Sequence, residues 1–411
     1  MTVDVLIVGA GPAGLSAAIA CVQHGLNVRV LDEFIKPGGR LLGQLHQEPD
    51  GTWWNGIEEA RKLYETAQSL GIQVECGIPV VHLEPAEGKW LIHIPDAVIQ
   101  ASTVVLATGA AEKPLPVPGW TLPGVMSIGA AQVMTNVHRV RVGERGVVVG
   151  INILSAAIAR ELQLGGIHIS GLYLPGLTPL TNHSGHPAWV MKSLLRLSHL
   201  APSSLIRFGS RLLKADAMHA LGIRLFPKSG VKMWGIPIHL RKAVLEIIGD
   251  QQVEKVKVAT VTPEGDPLPG TEEEIAVDFV CIAGGLYPLA ELAAIAGCPF
   301  HYFPELGGHV PVHSPRMETP QKGLYVAGNI TGIESAKVAK AQGTVAGLSI
   351  VYHFQPNERS KELLEHAIQQ VKQERDQAVI QFHPAIKQAR TRIKHLWNHP
   401  HPDSTQSTPL P

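Results

Sequence analysis

Three glycines near the amino end, Gly9, Gly11 and Gly14, have a spacing suited to binding phosphate groups. In such a turn the first glycine permits the sharp bend, the second lets a pyrophosphate approach the backbone, and the third allows close packing of a helix on a strand. Pro12 and Ala13 begin that helix, whose N-terminus would offer free N–H groups and a positive dipole end. These residues predict a dinucleotide site.

The elements around this turn strengthen the prediction. Residues 3–8 form an apolar run typical of a buried strand, residues 15–24 an apolar helix, and residues 27–31 a second strand that ends at Asp32 and Glu33. A carboxylate after the second strand can accept hydrogen bonds from a ribose. Strand, glycine turn, helix, strand and terminal acid together indicate a nucleotide fold far more strongly than the glycines do by themselves.

The residues after Asp32 favour FAD over NAD as the dinucleotide. Gly38 and Gly39 follow the acid closely and precede Arg40 and Gln44. A glycine pair can be an ordinary turn, but at this position it allows the backbone to run beside the phosphates and ring of a flavin. We therefore expect Gly39, Arg40 and Gln44 to contact FAD.

Composition and cysteine spacing limit the class of protein. Lys plus Arg equals Asp plus Glu at 35 each, so no overall field predicts binding to nucleic acid. The four cysteines form no C-x-x-C pair, so the sequence predicts neither a redox-active disulfide nor a four-cysteine iron–sulfur site. No run of about twenty apolar residues predicts a membrane span. The apolar start lacks the basic region of a signal peptide, and a cytoplasmic protein is expected.

Two further stretches are candidates for contact with FAD. Val80 lies in a segment alternating toward a sheet edge, where flavoproteins of this architecture commonly contact the adenine through the backbone. Thr108 and Gly109 end a buried strand, where small residues fit beside the dinucleotide. A linker follows, marked by residues that remove a backbone donor and resist helix formation: Pro114, Pro116, Pro118 and Pro123. The first part of the FAD-binding domain is thus predicted over residues 1–112.

Residues 145–174 repeat the opening pattern imperfectly. Asn152 stands where the second glycine is expected, and Ser155 stands where the third is expected. A side chain at the second position blocks close approach of a pyrophosphate. The second strand ends in Leu174, which offers neither an acid for a ribose hydroxyl nor a cation for a phosphate. Residues 113–275 therefore predict an NAD(P)-binding-like domain with a degraded fingerprint, and NAD(P) binding is not favoured.

The sequence then returns to the first domain. Residues 275–282 predict one buried strand that leads back into the FAD-binding domain, whose second part is expected over residues 276–353. A strand ending at Gly328 and Asn329 precedes a helix that begins at Ala336 and Lys337. In FAD enzymes the position of Asn329 is usually an Asp that holds the ribityl chain, and the helix N-terminus faces the flavin where negative charge appears on reduction. An amide can still bond a hydroxyl.

Residues 354–411 predict a helical and then disordered tail. Apolar residues at helical spacing are expected to pack on the protein's own surface, with a partner subunit as the rival interpretation. His395, His399 and His401 give a weak metal signal, and no metal site is predicted.

The glycine turn, both strand-to-glycine exits and the Gly328–Asn329 turn resemble flavoproteins with two dinucleotide-binding domains, such as glutathione and thioredoxin reductases. The resemblance implies an α/β fold with two Rossmann-like domains, the first discontinuous in sequence. The chain is more similar to the FAD-containing α subunits of bacterial opine and amino-acid dehydrogenases, including octopine, nopaline and heteromeric sarcosine oxidases, cyanide-forming glycine dehydrogenase and dye-linked proline dehydrogenase. The stretches that carry this similarity are residues 37–40, 123–126, 129–132, 284–288, 291–293, 328–333 and 342–343.

Two departures accompany the resemblance. Those α subunits usually carry a C-terminal cysteine-rich domain with a [2Fe–2S] cluster, whereas residues 354–411 contain no cysteine, so no such cluster is expected from this chain. Many also keep the glycines that Asn152 and Ser155 replace. The family role would be electron transfer from a small-molecule amine or amino-acid donor, through a second FAD-containing catalytic subunit in a hetero-oligomer, to an external acceptor.

The catalytic residues are predicted only from their positions. Arg40 follows the glycine pair, and Lys337 begins the helix aimed at the flavin, where a cation would stabilise the anionic reduced ring. His46, Trp53 and Trp54 could line a substrate face, although packing is the simpler interpretation. Two rival functions stay open: a non-catalytic assembly subunit with structural nucleotide sites, and an NAD(P)H-dependent ferredoxin or quinone reductase.

Overall fold

The computed structural model describes residues 2–48, 51–196, 222–224, 226–227, 229–378 and 382–399. These residues form two compact units. Unit 1 contains the described residues of Met1–Gln44, Asn55–Ala111 and Leu286–Pro411, and unit 2 those of Leu45–Trp54 and Glu112–Gly285. His401 of the weak histidine signal lies outside the described residues.

The elements are named in chain order. The strands are β1 (Thr2–Val8), β2 (Val28–Asp32), β3 (Leu45–Gln47), β4 (Trp53–Asn55), β5 (Gln73–Cys76), β6 (His82–Ala86), β7 (Lys89–Ile94), β8 (Ala97–Leu106), β9 (Ala110–Glu112), β10 (Val125–Ser127), β11 (Arg145–Val149), β12 (His168–Pro175), β13 (Val231–Met233), β14 (Ile236–Ile248), β15 (Lys255–Thr260), β16 (Glu273–Ala276), β17 (Phe279–Ile282), β18 (Leu286–Pro288), β19 (Phe300–Phe303), β20 (Gly308–Pro311) and β21 (Leu324–Val326). The α-helices are α1 (Pro12–Val22), α2 (Gly56–Ser69), α3 (Ile128–Asn136), α4 (Ile153–Leu164), α5 (Pro187–Arg196), α6 (Glu291–Ile295), α7 (Ala336–Phe354), α8 (Glu358–Asp376) and α9 (Ile386–Asn398).

Unit 1 is built on a sheet in the order β5-β2-β1-β8-β7-β6, with β21 also paired to β8. Strands β5, β2, β1, β8 and β21 run parallel. The apolar residues of β1, β2 and β21 are buried on both faces of the sheet, as is usual for parallel strands. Strands β6 and β7 form an antiparallel extension. The parallel strands therefore direct their carboxyl ends, with the loops that follow them, to one edge of the sheet.

Helix α7 packs closely on α1 through two glycines. A Cβ atom on Gly343 would lie 2.0 Å from the carbonyl oxygen of Ala13, and one on Gly347 would lie 2.6 Å from that of Ala17. Helix α8 adds Leu364 to the same core. The expectation that the apolar residues of the tail pack on the protein's own surface is confirmed for this helix.

Unit 2 is built on a sheet in the order β10-β17-β11-β12-β14-β15-β16, with β13 also paired to β14. The prediction of one strand over residues 275–282 was wrong. Strands β16 and β17 are separate, because Asp278 between them turns its carboxylate to the N–H groups of Glu144 and Arg145. Strand β17 pairs with β10 and β11, so the compact unit extends to Gly285, past the predicted limit of 275.

Residues 45–54 also belong to unit 2, although they interrupt the sequence of unit 1. Strands β3 and β4 pair there as a hairpin, and the N–H of Leu45 donates to Oε1 of Glu161 on α4. The assignment of residues 1–112 and 276–353 to FAD binding, of 113–275 to an NAD(P)-binding-like domain and of 354–411 to a tail stays a prediction.

Among the described residues, none of the helices combines the length and apolar character needed to cross a bilayer. The same residues contain no group of three His, Cys, Asp or Glu side chains placed to hold a metal ion.

Candidate functional site

Residues 9–14, called here the first turn, connect β1 to α1. Gly9 has φ +106°, and a Cβ atom there would lie 2.4 Å from the carbonyl oxygen of Ala107. A Cβ on Gly14 would lie 1.8 Å from the carbonyl oxygen of Gly9. Any side chain at either position would collide with backbone, so both glycines are required by the fold itself.

No neighbouring protein atom would prevent a side chain at Gly11. It is the N-cap of α1, and the nearest atom to a Cβ placed there would be Cα of Gly39, at 3.9 Å. No side chain caps the helix, and Pro12 occupies its first turn. The N–H groups of Ala13 and Gly14 cannot bond within the helix, so the first turn keeps donors and bare backbone for an anion. This arrangement fits the pyrophosphate of a dinucleotide.

The glycine pair lies directly against the first turn. The N–H of Gly38 donates to the carbonyl of Ala10 at 2.8 Å. Gly39 has φ +54°, and a Cβ there would lie 3.0 Å from Cα of Gly11. The structure therefore brings together two stretches whose association the sequence could only suggest.

The residues after the pair are held by backbone contacts. Arg40 is half-buried and donates through Nε to the carbonyl of Ala110 at 3.1 Å. The carbonyl of Gln44 accepts from the N–H of Gly56, at the start of α2. These contacts fix the course of the chain past the glycine pair.

Asp32 orients the first turn as well as ending β2. One carboxylate oxygen accepts from the N–H of Ala10 at 2.5 Å, and the other accepts from the N–H of Phe34 at 2.8 Å. Burial raises the pKa of Asp32, and the two backbone hydrogen bonds oppose that rise. Each oxygen retains a lone pair for a ribose hydroxyl. Glu33 is exposed beside it.

Val80 and Thr108 occupy loops that adjoin the same strands. Val80 packs on the core of the sheet, two residues after Ile78, whose N–H donates to the carbonyl of Asp32. The hydroxyl of Thr108 donates to the carbonyl of Leu289 at 2.5 Å, and Gly109 has φ +79°. These contacts hold the loop after β8 to the segment that follows β18.

The turn after β21 meets the start of α1. Gly328 has φ +81°, and a Cβ there would lie 2.9 Å from Cβ of Ala13. Its N–H donates to Oε1 of Gln342 at 2.9 Å, and the hydroxyl of Thr331 donates to the same oxygen at 3.3 Å. Gln342 is a site residue that the candidates from the sequence do not include. Its signal in the sequence is that residues 342–343 belong to the stretches that carry the similarity to the α subunits.

Asn329 and the start of α7 are held by neighbouring groups. Oδ1 of Asn329 accepts from the N–H of Glu334 at 3.2 Å, and the hydroxyl oxygen of Ser335 caps α7 by accepting from Val338. Ala336 is half-buried and Lys337 is exposed. The assignment of these residues to FAD stays a prediction, as does that of the other site residues.

Residues 150–155, called here the second turn, connect β11 to α4 with the same backbone course. Gly150 has φ +109°, and a Cβ there would lie 2.3 Å from the carbonyl oxygen of Ala283. Asn152 is the N-cap: its Oδ1 accepts from the N–H of Ser155, whose hydroxyl accepts from the N–H of Asn152, both at 2.9 Å. Nδ2 of Asn152 donates to Ala283 at 3.1 Å. The side chains of Asn152 and Ser155 therefore satisfy N–H groups at the start of α4, and the expectation that NAD(P) binding is not favoured stays a prediction.

The lining of a substrate face by His46, Trp53 and Trp54 stays a prediction. Trp53 is 53% exposed, and His46 stacks on Trp54 with ring centroids 6.1 Å apart. All four cysteines are free thiols, and burial raises the pKa of Cys298 to about 11, which holds it in the unreactive protonated form.

Residues 3–343 match the family described as pyridine nucleotide-disulphide oxidoreductase. An opine oxidase subunit of Agrobacterium tumefaciens is 29% identical over 84% of this chain and 65% of its own length. The corresponding opine oxidase subunit of Rhizobium meliloti is 29% identical over 84% of this chain and 62% of its own length. The chain thus spans somewhat less than two thirds of these relatives. The hydrogen cyanide synthase subunit HcnB of Pseudomonas aeruginosa is 26% identical over 85% of this chain and 71% of its length.

Two solved structures share the fold. L-Proline dehydrogenase from P. horikoshii superposes with a TM-score of 0.62 at 19% identity, over 89% of this chain and 59% of that one. Thioredoxin reductase from T. acidophilum superposes with a TM-score of 0.60 at 22% identity, over 86% of this chain and 99% of that one. The expected α/β fold of the two-domain flavoprotein type is confirmed.

Proposed function

The chain belongs to the pyridine nucleotide-disulphide oxidoreductase family, and on this premise we propose that it is an FAD-dependent oxidoreductase, the FAD-containing α subunit of a dehydrogenase complex. The complex would oxidise the C–N bond of an amino acid, an opine or a secondary amine and pass the electrons to an external acceptor. A second, catalytic subunit that also contains FAD is the proposed partner.

One observation carries this proposal. The relatives that match over 84% or 85% of the chain are named as subunits of opine oxidases and of hydrogen cyanide synthase. A further relative, the sarcosine oxidase α subunit of a Corynebacterium strain, matches 40% of the chain at 33% identity. Each of these names describes a subunit of an enzyme that acts on or forms a small nitrogen-containing compound.

The chain's own residues support FAD binding in unit 1. FAD, when bound, would supply the ability to accept a hydride or electrons. The free N–H groups of Ala13 and Gly14 would donate to its pyrophosphate, and bare backbone at Gly11 and Gly39 would permit close approach. Asp32 would accept from a ribose while holding Ala10 in place.

Residues on the other loops complete the proposed site. Asn329 would replace the usual carboxylate at the ribityl chain, and Arg40 and Lys337 would supply positive charge near the ring. The full set proposed to bind FAD is Gly9, Gly11, Pro12, Ala13, Gly14, Asp32, Glu33, Gly39, Arg40, Gln44, Val80, Thr108, Gly109, Gly328, Asn329, Ala336 and Lys337.

The test begins with the purified protein, alone and together with the FAD-containing chain that co-purifies with it. We expect stoichiometric FAD, a stable complex of the two chains, and loss of the visible flavin absorption when proline, sarcosine or an opine is added without oxygen. When the two chains of the complex are then separated, the flavin of one chain should respond to the donor differently from the flavin of the other.

Two outcomes would overturn the proposal. Rapid loss of the flavin absorption on adding NADH would favour a pyridine-nucleotide-dependent reductase instead. Bound flavin that no donor reduces, in the complex as well as in the single chain, would favour an assembly subunit.

A further inference from the structure

Glu334 is buried beside the proposed flavin site and is held by two arginines. Its side chain is 5% exposed. Arg375 donates through Nε to Oε1 at 2.5 Å and through Nη2 to Oε2 at 3.0 Å, and Nη2 of Arg390 donates to the same Oε2. Paired hydrogen bonds of this kind between guanidinium and carboxylate are both strong and directional. The arginine cluster is defined as Glu334, Arg375 and Arg390.

Arg390 also contacts the loop that leads to Glu334. Its Nη1 donates to the carbonyl of Thr331 at 2.7 Å. Gly332 has φ +131°, and a Cβ there would lie 3.1 Å from Nη2 of Arg390, so the bare backbone leaves room for the guanidinium. The Nε of Arg390 is buried without a hydrogen-bond partner among the described residues. Arg390 thus forms hydrogen bonds with this loop at Thr331 and at Glu334.

The same loop is held from its other side. Glu334 donates its N–H to Oδ1 of Asn329, and Thr331 and Gly328 both donate to Gln342. Residues 328–335 are therefore fixed between α7 and the arginine cluster. They include Gly328 and Asn329, which the proposed function assigns to the flavin, and they lead directly to Ala336 and Lys337.

The two arginines lie outside the region that matches the family. That match ends at residue 343, whereas Arg375 is on α8 and Arg390 is on α9. The C-terminal helices α8 and α9 thus add contacts to residues 328–335 from outside the matched range.

The arginine cluster has an excess of positive charge. Burial disfavours the ionised form of Glu334, but the guanidinium groups outweigh it, and the net result is a lowered pKa. Burial, reinforced by Arg390, lowers the pKa of the neighbouring His313 to about 3, so this histidine is neutral at pH 7. Two guanidinium groups facing one carboxylate leave one net positive charge in a poorly solvated place, where charge acts strongly.

We propose that Arg375 and Arg390 are positioning residues of the flavin site. Acting through Glu334 and Thr331, they hold residues 328–335 in the conformation that binds FAD, and their excess charge stabilises the reduced, anionic flavin. This inference rests on the proposed FAD site of unit 1.

The test compares Arg390→Gln with Arg392→Gln. Arg392 lies on the same helix, pairs with Glu305, and is 54% exposed, so it is a matched control. FAD is titrated into each FAD-free protein. We expect binding to weaken at least about tenfold for Arg390→Gln, because a buried carboxylate loses a partner and the loop loses two contacts. Arg392→Gln should change it less than about twofold.

The midpoint potential of the bound flavin distinguishes an effect of the arginine charge from an effect of side-chain packing alone. Arg375→Gln removes one positive charge, so the midpoint potential of its bound flavin should become more negative than that of the wild type. Arg375→Lys keeps the charge and should hold the potential near the wild-type value even if FAD binds more weakly. A merely structural role would leave the potentials of both variants alike.

The outcomes distinguish the two proposals. A wild-type protein that binds no FAD contradicts the proposed function itself. Wild-type protein that binds FAD, together with an Arg390→Gln variant of equal affinity and potential, overturns this inference alone. If Arg390→Gln does not fold, the Glu334→Gln/Arg390→Gln variant, which buries no unpaired carboxylate, replaces it, and wild-type affinity in that variant overturns the inference.

Discussion

The first and second turns share one backbone course and differ in their chemistry. Gly9 and Gly150 have φ values of +106° and +109°, and a Cβ on either would meet the carbonyl of the neighbouring strand, at 2.4 Å and 2.3 Å. Beyond that point they diverge. Gly11 leaves the N-terminus of α1 without a side-chain cap, whereas Asn152 and Ser155 cap α4 reciprocally.

The difference separates what the fold needs from what a ligand needs. The first glycine is required in both turns because the strand beside it leaves no room for a side chain. The second position is free of such constraint, so the proposed pyrophosphate accounts for the glycine of the first turn, and the asparagine of the second turn is expected to disfavour a pyrophosphate there. The second strand of each unit shows the same difference. The N–H of Gly9 donates to the residue before Asp32, and the N–H of Gly150 donates to the residue before Leu174, so these two residues correspond. Asp32 accepts a hydrogen bond from the first turn, whereas Leu174 is a buried apolar residue.

The largest effect should follow from Gly14→Ala. Its Cβ would lie 1.8 Å from the carbonyl oxygen of Gly9, so backbone must move, at a cost of about 4 kcal/mol. Ser155 at the matching position of the second turn already carries a side chain, and Ser155→Ala should cost only about 1 kcal/mol. Urea unfolding of both variants without FAD measures this, and equal losses would contradict the contrast.

A pH-dependent effect should follow at Glu161 on α4, whose counterpart on α1 is Ala20. Burial raises the pKa of Glu161 from 4.5 to about 7, although Gln132, Leu45 and Asn136 donate to the carboxylate. A raised folded-state pKa contributes stability below pH 4.5 that is lost as the pH rises through about 7. The free energy of unfolding of wild type relative to Glu161→Gln should fall by about 3 kcal/mol across this range.

Urea unfolding of the wild type and Glu161→Gln at a series of pH values provides that measurement. The Gln variant has no group titrating at this position, so its profile should lack the decline. Parallel profiles for the two proteins would show that Glu161 titrates normally.

Gly11→Ala should weaken FAD binding while leaving the fold intact. A Cβ there has 3.9 Å to its nearest neighbour, an ordinary contact, but it would occupy the path of the pyrophosphate. A clash of about 2 kcal/mol corresponds to roughly thirtyfold weaker binding. Titration of FAD into the variant, with its urea midpoint as the check on folding, tests this. Loss of folding, or unchanged binding, would contradict the assignment of the first turn.

Asn152→Ala should have the smallest effect. Removing the cap of α4 and the contact with Ala283 should destabilise the protein by about 1 kcal/mol, and FAD binding should not change. This variant is also the matched control for Gly11→Ala, since both change the N-cap of a βαβ turn. Weaker FAD binding by Asn152→Ala would show that the second turn contributes to the flavin site.

Local patterns predicted much of unit 1. The glycines of the first turn, the strand before them and the acid at residue 32 follow from steric rules that act within a few residues. The pattern could not say which sheet a strand joins. The apolar residues 279–282 would suit a buried strand in either unit, and only their pairing with β10 and β11 shows that they belong to unit 2. Residues 45–54 likewise joined unit 2 through long-range contacts.

The sequence by itself determined that a dinucleotide fold begins at residue 3 and that its copy lacks two glycines, because each of these features is set by the sterics of a short stretch of chain. Only the tertiary structure decided that Glu334 lies between Arg375 and Arg390. The sequence does not show whether a charged side chain is buried or exposed to solvent. Its burial becomes tolerable only when partners far along the chain fold against it and compensate the lost hydration.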